Sequence, residues 1–431
     1  MNENDSIQAG ILLEKELGLK KVNNIYEADI IIINTCSVRE KPEHKVFSEA
    51  GRIGKIKKDK NKKIILGIMG CVAQEYGERI LEKAPYVDFV IGTHNIHKLP
   101  EIVERCLNDD VKVVETQFYS SISSINVFTN PYDKYGLKAY VTIMQGCNNF
   151  CSYCIVPYVR GREYSRKSND IIEEVKILAE KGVKEITLLG QNVNSYGKNI
   201  EGEITFAELL YKVSEIEGIQ RIRFTTSHPK DFNEDLMIAF KEIDKLCNHL
   251  HLPLQSGSDK ILKLMNRKYT KDEYLEKVYK LKEIVPDIAI TTDLIVGFPY
   301  EEDKDFAETL QVMEEVRFIT SFSFKYSPRP FTKFQNIDNI PENVKLERLT
   351  ILQNLQKKIT EEYNKKSEGK IFEVLVEGEN KKNQLTGRLY DNRIVNFEGD
   401  RDLIGKIVKV KIIKGLKNSL KGEILKCTQL N

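Results

Sequence analysis

The sequence MQGCNNFCSYCIVPYVRGRE, from Met144 to Glu163, decides how the rest of the chain is interpreted. Within it, Cys147, Cys151 and Cys154 follow a C-x3-C-x2-C spacing. Structural zinc usually takes four ligands arranged as two separated pairs. No fourth Cys or His follows nearby, since His228 lies 74 residues after Cys154. Three cysteines instead suit an iron–sulfur cluster that leaves one iron open.

The overall composition indicates a folded protein in a reducing compartment. The 431 residues include only eight cysteines, too few for a disulfide scaffold of this size. Hydrophobic residues make up 41% and charged residues 30%, which permits a sizeable core and excludes overall disorder. No apolar run approaches the roughly 20 residues that span a bilayer, and the start MNENDSIQAG lacks signal-peptide features. We therefore expect a soluble, cytoplasmic protein.

Around the cysteine loop, six strand patterns alternate with helical patterns. The predicted strands are Ala139–Met144, Glu185–Leu189, Ile222–Thr226, His249–Pro253, Ile288–Val296 and Ser321–Tyr326. Six such units predict parallel strands with right-handed crossovers, and six is fewer than the eight of a closed barrel. We therefore expect a partial (βα)6 barrel. Polar or Gly/Pro-rich turns follow every strand, at the face where barrel enzymes keep their active sites, which favours one shared site.

The first hundred residues contain three short apolar runs separated by helical patterns. The runs Asp29–Ile33, Ile64–Met69 and Val87–Ile91 predict a parallel α/β sheet covered on both faces. Cys36 and Cys71 follow the first two runs, at carboxyl ends of strands, where function gathers in such sheets. Considered by themselves, these two thiols are explained equally well as buried packing residues.

The C-terminal region carries its own positive charge. From Lys365 to the end there are 15 Lys/Arg and 9 Asp/Glu, against 51 and 55 in the rest of the chain. Five short strand patterns predict a small β-barrel of the oligonucleotide-binding kind. Lys409 and Lys411 alternate along one of these strands, so we expect them on its outer face. This charge indicates contact with a phosphate backbone, with general solubility as the alternative. Before the barrel regions, Phe118–Gly136 lacks a period and predicts a linker.

Several stretches together resemble the MiaB-type tRNA methylthiotransferases, a family of radical S-adenosylmethionine (SAM) enzymes. They are NTCSVRE (Asn34–Glu40), Met144–Glu163, LGQNVNSYG (Leu189–Gly197), FTTSHP (Phe224–Pro229), HLPLQSGSDKIL (His251–Leu262) and IVGFP (Ile295–Pro299). The tail, with LTGR and NFEG, is similar to the family's TRAM domain, an RNA-binding β-barrel. The resemblance covers essentially the whole chain. It implies an N-terminal methylthiotransferase domain over 1–117, a radical SAM core over 133–363 and a TRAM domain over 365–431.

The resemblance implies a specific reaction, the conversion of N6-isopentenyladenosine at position 37 of tRNA to its 2-methylthio form. Cys147, Cys151 and Cys154 match the ligands of a 4Fe–4S cluster whose open iron binds SAM. One-electron cleavage of SAM then yields a 5′-deoxyadenosyl radical, which removes hydrogen from carbon 2 of the adenine, a step that needs cofactor chemistry.

Five further positions match or adjoin family motifs at the cofactor. Tyr153 is expected to pack near the adenine of SAM, and Gly190 and Gln191 near its methionine end. Arg160 is a candidate, together with its neighbour Arg162, to contact the cofactor carboxylate or a tRNA phosphate.

Cys36 and Cys71 match two of the three ligands of an auxiliary 4Fe–4S cluster, at which a second SAM supplies the methyl group. The family's first auxiliary Cys lies two residues before a Met-Asn-x-x-Asp-Ser stretch, and here that stretch is MNENDS at Met1. The third ligand and the first strand are thus missing from the sequence. We therefore expect this form to cleave SAM but to make little methylthiolated tRNA. The other cysteines, expected to serve packing, are Cys106, Cys247 and Cys427.

The implied partners are a tRNA anticodon stem-loop and a low-potential electron donor of the flavodoxin or ferredoxin type, with no membrane and a monomeric enzyme. Two alternatives remain, a threonylcarbamoyladenosine tRNA methylthiotransferase and a non-catalytic iron–sulfur RNA-binding regulator. CSVRE and GQNVNSY resemble the MiaB branch, and the six polar strand-end turns favour an enzyme over a regulator.

Overall fold

The structure is a computed structural model that describes residues 1–37, 40–59, 63–109, 111–119 and 136–425. The predicted linker falls mostly outside these ranges. Within them, no helix is both long and apolar enough to cross a membrane. The described chain forms an N-terminal sheet, a central set of parallel strands and a C-terminal barrel.

The N-terminal region is a four-stranded parallel sheet with helices on both faces. In spatial order its strands are β1 (Ile30–Thr35), β2 (Ile65–Gly70), β3 (Phe89–Ile91) and β4 (Val113–Glu115). Its helices are α1 (Asn2–Leu17), α2 (Glu40–Asp59), α3 (Cys71–Tyr76), α4 (Arg79–Lys83) and α5 (Leu99–Asn108). Helices α1 and α5 pack on one face, and the other helices pack on the opposite face. The predicted covered parallel sheet is therefore confirmed.

The central region contains six parallel strands in chain order. These are β5 (Lys138–Thr142), β8 (Glu185–Leu189), β9 (Arg221–Thr225), β10 (His249–His251), β11 (Ala289–Val296) and β12 (Thr320–Lys325). They form two three-stranded sheets, which a single bridge between Ile222 and Leu246 connects. Strands β5 and β12 end the series and do not pair with each other within the described residues. The structure thus confirms the predicted partial barrel.

Two further short strands and eight helices complete the central region. The strands β6 (Met144–Gln145) and β7 (Tyr164–Ser165) form an antiparallel pair. The helices are α6 (Val156–Val159), α7 (Ser168–Glu180), α8 (Phe206–Ser214), α9 (Glu234–Glu242), α10 (Asp259–Leu264), α11 (Lys271–Ile284), α12 (Asp303–Val316) and α13 (Glu342–Lys365). Alternate strand residues, such as Ile222 and Phe224, join the large apolar core beneath these helices. The intervening residues, such as Arg221 and Arg223, therefore face the other side of the sheet.

The C-terminal region is a closed five-stranded barrel with an apolar interior. Its strands are β13 (Ile371–Glu379), β14 (Leu385–Arg388), β15 (Ile394–Phe397), β16 (Ile407–Gly415) and β17 (Leu420–Ile424). On β16, Val410 and Ile412 are buried, whereas Lys409 and Lys411 are exposed. The predicted small barrel with outward lysines is therefore confirmed.

Two buried arginines of β9 attach this barrel to the central region. Arg221 donates hydrogen bonds to the carbonyls of Arg388 (2.6 Å) and Glu373 (3.1 Å). Arg223 donates to two further carbonyls in the turn after β14, at 2.9 and 2.8 Å, and pairs with the Glu185 carboxylate at 3.2 Å. A buried guanidinium is costly without such partners. The two regions are therefore held in a fixed relation.

Candidate active site

The three-cysteine loop follows β6 and is closed by its pairing with β7. Gly146 adopts a left-handed φ of +81°, and a Cβ there would lie 2.0 Å from the carbonyl oxygen of Arg162. The Gly146 N–H donates to Gln191 Oε1 at 2.6 Å, and the Cys147 N–H donates to the Gly161 carbonyl at 3.1 Å. The close approach of the two backbone segments requires glycine at this position, because any side chain would collide with the Arg162 carbonyl just before β7.

Hydrogen-bond donors point at two of the three sulfurs. The backbone N–H and the side-chain Nδ2 of Asn149 each lie 3.5 Å from Cys147 Sγ. The buried guanidinium of Arg267 donates to Cys151 Sγ at 3.3 Å and to the Pro253 carbonyl at 2.9 Å. Donors from charged groups favour an anionic sulfur. These donors would therefore stabilise the thiolate form of Cys147 and Cys151 once iron is bound.

Burial affects the protonation of the same loop before any metal binds. It raises the pKa of Cys147 to about 11 and raises that of Cys154 still more, with the nearby Cys151 charge adding to both shifts. The thiols of Cys147 and Cys154 therefore keep their protons at neutral pH, and iron binding must release those protons. Among the described residues, no three Cys, His, Asp or Glu side chains converge on a single metal ion. In a 4Fe–4S cluster each cysteine binds a different iron, so this donor set fits a cluster.

Buried polar atoms collect at the carboxyl ends of the first three barrel strands. Those without a hydrogen-bond partner in the described part of the chain are Gln145 Nε2, Asn192 Oδ1, both amide atoms of Asn194, Ser227 Oγ and His228 Nε2. An unpaired buried group costs roughly 1–3 kcal/mol, so a set of them indicates a polar ligand. The amine, carboxylate and ribose hydroxyls of SAM match these donors and acceptors. Asn194 and Ser227 were not predicted as site residues, although Asn194 lies in the motif LGQNVNSYG and Ser227 in the motif FTTSHP.

The other predicted cofactor contacts lie beside this site and also have contacts within the protein. Tyr153 packs edge-on against Phe298, with ring centroids 6.5 Å apart, and burial raises its pKa. Gln191 uses its side-chain oxygen to hold Gly146. At Gly190, a Cβ would lie 2.5 Å from the Met144 side chain. These positions therefore also support the shape of the cysteine loop.

The second pair of cysteines lies at the edge of the N-terminal sheet that faces the first site. Cys36 follows β1 and Cys71 begins α3, directly after β2. A hydrogen bond from the Cys36 side chain, assisted by the Arg160 charge, lowers the pKa of Cys71 to about 6 against the effect of burial. Cys71 packs against Ile155 and Val159. Ile155 directly precedes α6 and Val159 is its last residue, so both follow closely after the radical-site cysteines. The fold thus brings both cysteine sets to one interface.

Arg160 follows the first cysteine set in the chain and contacts the surroundings of the second set. It is 2% exposed and forms an ion pair with Asp5, and its Nη2 also donates to Asn2 Oδ1 at 2.9 Å. The same Asn2 oxygen lies 3.9 Å from Cys71 Sγ. Burial opposes the charge of Arg160, but Asp5 and Cys71 outweigh it and raise the arginine pKa. These internal contacts argue against Arg160 as a tRNA phosphate ligand.

Two of the remaining cysteines are buried in the core, as expected. Burial raises the pKa of Cys106 and of Cys247 to about 11 in each case. Cys106 lies in the apolar cluster between α5 and the sheet. Cys427 lies outside the described residues.

Comparison with known families divides the chain in the same three regions. Residues 141–313 match the radical SAM superfamily, residues 365–425 match the TRAM domain, and residues 1–92 match a family described as uncharacterized protein family UPF0004. Curated relatives extend over the whole chain. The tRNA-2-methylthio-N(6)-dimethylallyladenosine synthase of Syntrophus aciditrophicus is 53% identical over 99% of this chain and 92% of its own length. The protein of the same name from Clostridium tetani is 51% identical over 98% of this chain and 94% of its own.

Solved structures share the fold at low sequence identity. The radical SAM methyltransferase TsrM from Kitasatospora setae has a TM-score of 0.52 at 11% identity, covering 76% of this chain and 66% of its own. The cobalamin-dependent SAM radical enzyme OxsB has a TM-score of 0.53 at 13% identity, covering 82% of this chain and 53% of its own. These likenesses concern the fold only.

A partial parallel barrel whose first strand leads into a C-x3-C-x2-C loop defines a radical SAM enzyme. Relatives that are 53% and 51% identical over nearly the whole chain show which family of radical SAM enzymes this is. The chain belongs to the MiaB-type tRNA methylthiotransferase family.

Proposed function

We infer that the reaction of this protein is the conversion of N6-isopentenyladenosine, also called N6-dimethylallyladenosine, at position 37 of tRNA to its 2-methylthio form, with full turnover expected once a third ligand joins Cys36 and Cys71 at the auxiliary cluster. The observation that carries this inference is the meeting of two cysteine sets at one interface, in a chain 53% identical to a synthase of that name. A regulator that only senses redox state does not require the unpaired polar atoms beside the cysteine loop.

Two sets of cysteines bind two separate clusters in this proposal. Cys147, Cys151 and Cys154 hold the radical-site 4Fe–4S cluster, and Cys36 and Cys71 supply two ligands of the auxiliary one. When bound, the first cluster supplies the electron that cleaves SAM to methionine and a 5′-deoxyadenosyl radical.

The surrounding side chains bind and orient these groups. Asn149 and Arg267 stabilise negative charge on two sulfurs. Asn194, Ser227 and His228 bind the polar groups of SAM, with Tyr153, Gly190 and Gln191 completing the contacts.

The proposal extends to partners and organisation. The exposed lysines of β16 contact tRNA phosphates, and a flavodoxin- or ferredoxin-type protein supplies electrons to the enzyme. The enzyme acts as a cytoplasmic monomer. Its domains are the methylthiotransferase domain over 1–117, the radical SAM core over 133–363 and the TRAM domain over 365–431.

Nucleoside analysis of tRNA tests the reaction. A deletion strain should accumulate N6-isopentenyladenosine and lose its 2-methylthio derivative, as measured by mass spectrometry. Loss of the methylthio derivative of threonylcarbamoyladenosine instead would assign the protein to the sister branch.

Replacement of one cluster ligand tests the site. Cys151→Ala should abolish 5′-deoxyadenosine formation and lower the iron content after anaerobic reconstitution, because one of three thiolates is lost. Cys247→Ala is the matched control, since Cys247 is a buried cysteine outside both sets. Undiminished SAM cleavage by the Cys151 variant would refute the ligand assignment.

A further inference from the structure

Three aromatic rings, one half-buried and two exposed, lie side by side at the radical-site loop and are called here the aromatic patch. It consists of Phe150, Tyr158 and Phe331. The Phe150 and Tyr158 ring centroids lie 6.1 Å apart, and those of Tyr158 and Phe331 lie 5.9 Å apart. Tyr158 is 38% exposed and Phe331 is 51% exposed. Aromatic side chains grouped at the surface are typical of protein interfaces.

Positive charges surround the aromatic patch. The Arg162 guanidinium lies 4.2 Å from the centre of the Phe150 ring, and Lys263 and Lys333 are exposed nearby. In the described ranges, none of these three cations forms an ion pair with an acidic side chain. A surface whose positive charges are not paired with carboxylates complements an acidic partner.

A cleft in this surface reaches Cys151, one of the three radical-site cysteines. Its volume is about 310 Å³, and its lining includes Phe150, Cys151, Lys263 and Lys333. Cys151 is 8% exposed, so a protein docked here would approach one of the three cluster ligands. The cleft is therefore a short route between a surface partner and the cluster site.

We propose that the aromatic patch and its three cations dock a small acidic electron-carrier protein. This inference rests on the proposed function and adds the surface that the carrier uses. One electron would leave the reduced carrier, which is oxidised, and would reduce the 4Fe–4S cluster that Cys147, Cys151 and Cys154 would hold. No bond forms between the two proteins.

The position of the patch favours a carrier over RNA. The C-terminal barrel is attached through Arg221, at the amino end of β9. The patch instead combines the loop after β6 with Lys263 on α10, which follows the carboxyl end of β10. The patch therefore lies at the carboxyl ends of the strands, where the cleft brings a docked carrier close to Cys151. Electron transfer requires this closeness to a cluster ligand, whereas contacts to RNA phosphates do not.

Charge reversal at two lysines tests this surface in the full-length protein. The double variant Lys263→Glu/Lys333→Glu should bind a purified acidic flavodoxin roughly tenfold more weakly in titration calorimetry, and wild-type binding should weaken as salt rises. The rate at which flavodoxin reduces the cluster, followed by electron paramagnetic resonance, should fall by a similar factor. The rate of reduction by dithionite should stay unchanged. The matched control is Lys212→Glu/Lys241→Glu, which reverses exposed lysines on α8 and α9.

The possible outcomes test the docking surface separately from the methylthiolation of tRNA. Unchanged flavodoxin affinity in the double variant would overturn the proposal, and weaker tRNA binding with unchanged flavodoxin affinity would assign the patch to RNA. If the double variant also loses dithionite-driven reduction, the single variant Phe331→Ser decides by the same binding measurement. Failure of the proposed function would appear as unmodified tRNA with intact flavodoxin binding.

Discussion

Arg267 is a single side chain that serves both the fold and the chemistry. Besides Cys151 Sγ and the Pro253 carbonyl, its Nε donates to the Tyr269 hydroxyl at 2.8 Å. Arg267→Met should lower the free energy of unfolding of the metal-free protein by about 1–3 kcal/mol, because buried acceptors lose their donor. It should also lower the reduction potential of the bound cluster, because a positive charge beside it is gone.

Denaturant unfolding and a potentiometric titration monitored by electron paramagnetic resonance measure the two effects of the Arg267 change. Lys268→Met is the control, since Lys268 is exposed and donates only to Asn266 in the described structure. A variant with an unchanged potential would show that Arg267 is purely structural.

Glu75 makes stability depend on pH. Burial, and then the charge of Glu43, raises the pKa of its carboxyl to about 7. The folded protein keeps this proton to a higher pH than the unfolded chain does, so its contribution to stability falls as pH rises between the ordinary carboxyl value and about 7. Glu75→Gln cannot titrate. Its melting temperature relative to wild type should therefore rise between about pH 5 and about pH 8. A difference that stays constant with pH would contradict the shift.

At the scale of elements, the β6–β7 pair sets the shape of the cysteine loop. Gly146→Ala should reduce iron uptake several-fold and lower the melting temperature, because the new methyl group would meet the Arg162 carbonyl at 2.0 Å. Gly182→Ala is a matched control, since Gly182 also has a positive φ, +89°, but open space around it. That control should cost only backbone strain, about 1 kcal/mol. Equal iron uptake by both variants would contradict the role of the hairpin.

Elements with a regular apolar pattern could be predicted from the sequence, whereas helix α1 could not. The unbroken apolar run in β2 and the alternation of Lys409, Val410 and Lys411 each indicated a strand that the structure contains. Helix α1 gave no such signal, because Asp5 and Gln8 are among the residues on its buried side.

The same limit applies to the site. The cysteine spacing is local and was sufficient to predict a cluster loop. The contact between Arg160 and Asp5 joins residues 155 positions apart, and that of Arg267 with Cys151 spans 116. Only the folded chain shows such pairs, because no periodicity relates residues so distant in sequence.

At the scale of the whole molecule, the C-terminal barrel is the expected main contact for tRNA. Neutralising Lys409, Lys411 and Lys421 to Gln should weaken tRNA binding and reduce its salt dependence, by roughly one unit of slope per lost phosphate contact. SAM cleavage without tRNA should be unaffected. Equivalent changes at Lys176, Lys212 and Lys241 on the outer helices are the control, and equal losses in both sets would contradict a barrel-specific contact.

Point substitutions are preferable here to removal of the barrel. Deleting residues 365–431 should also weaken tRNA binding, but it would remove the carbonyl partners of Arg221 and Arg223. Two buried guanidinium groups would then lose their hydrogen bonds, so the central region itself should be destabilised.

The ion pair between Asp5 and Arg160 also fixes an order of events during protein synthesis. The ribosome adds 155 residues between the two partners, which takes about 8–30 s at roughly 5–20 residues per second. Throughout that interval the N-terminal sheet can form around α1, while the first turn of this helix still lacks its partner. The surroundings of Cys71 are therefore completed only after translation has passed the radical-site loop.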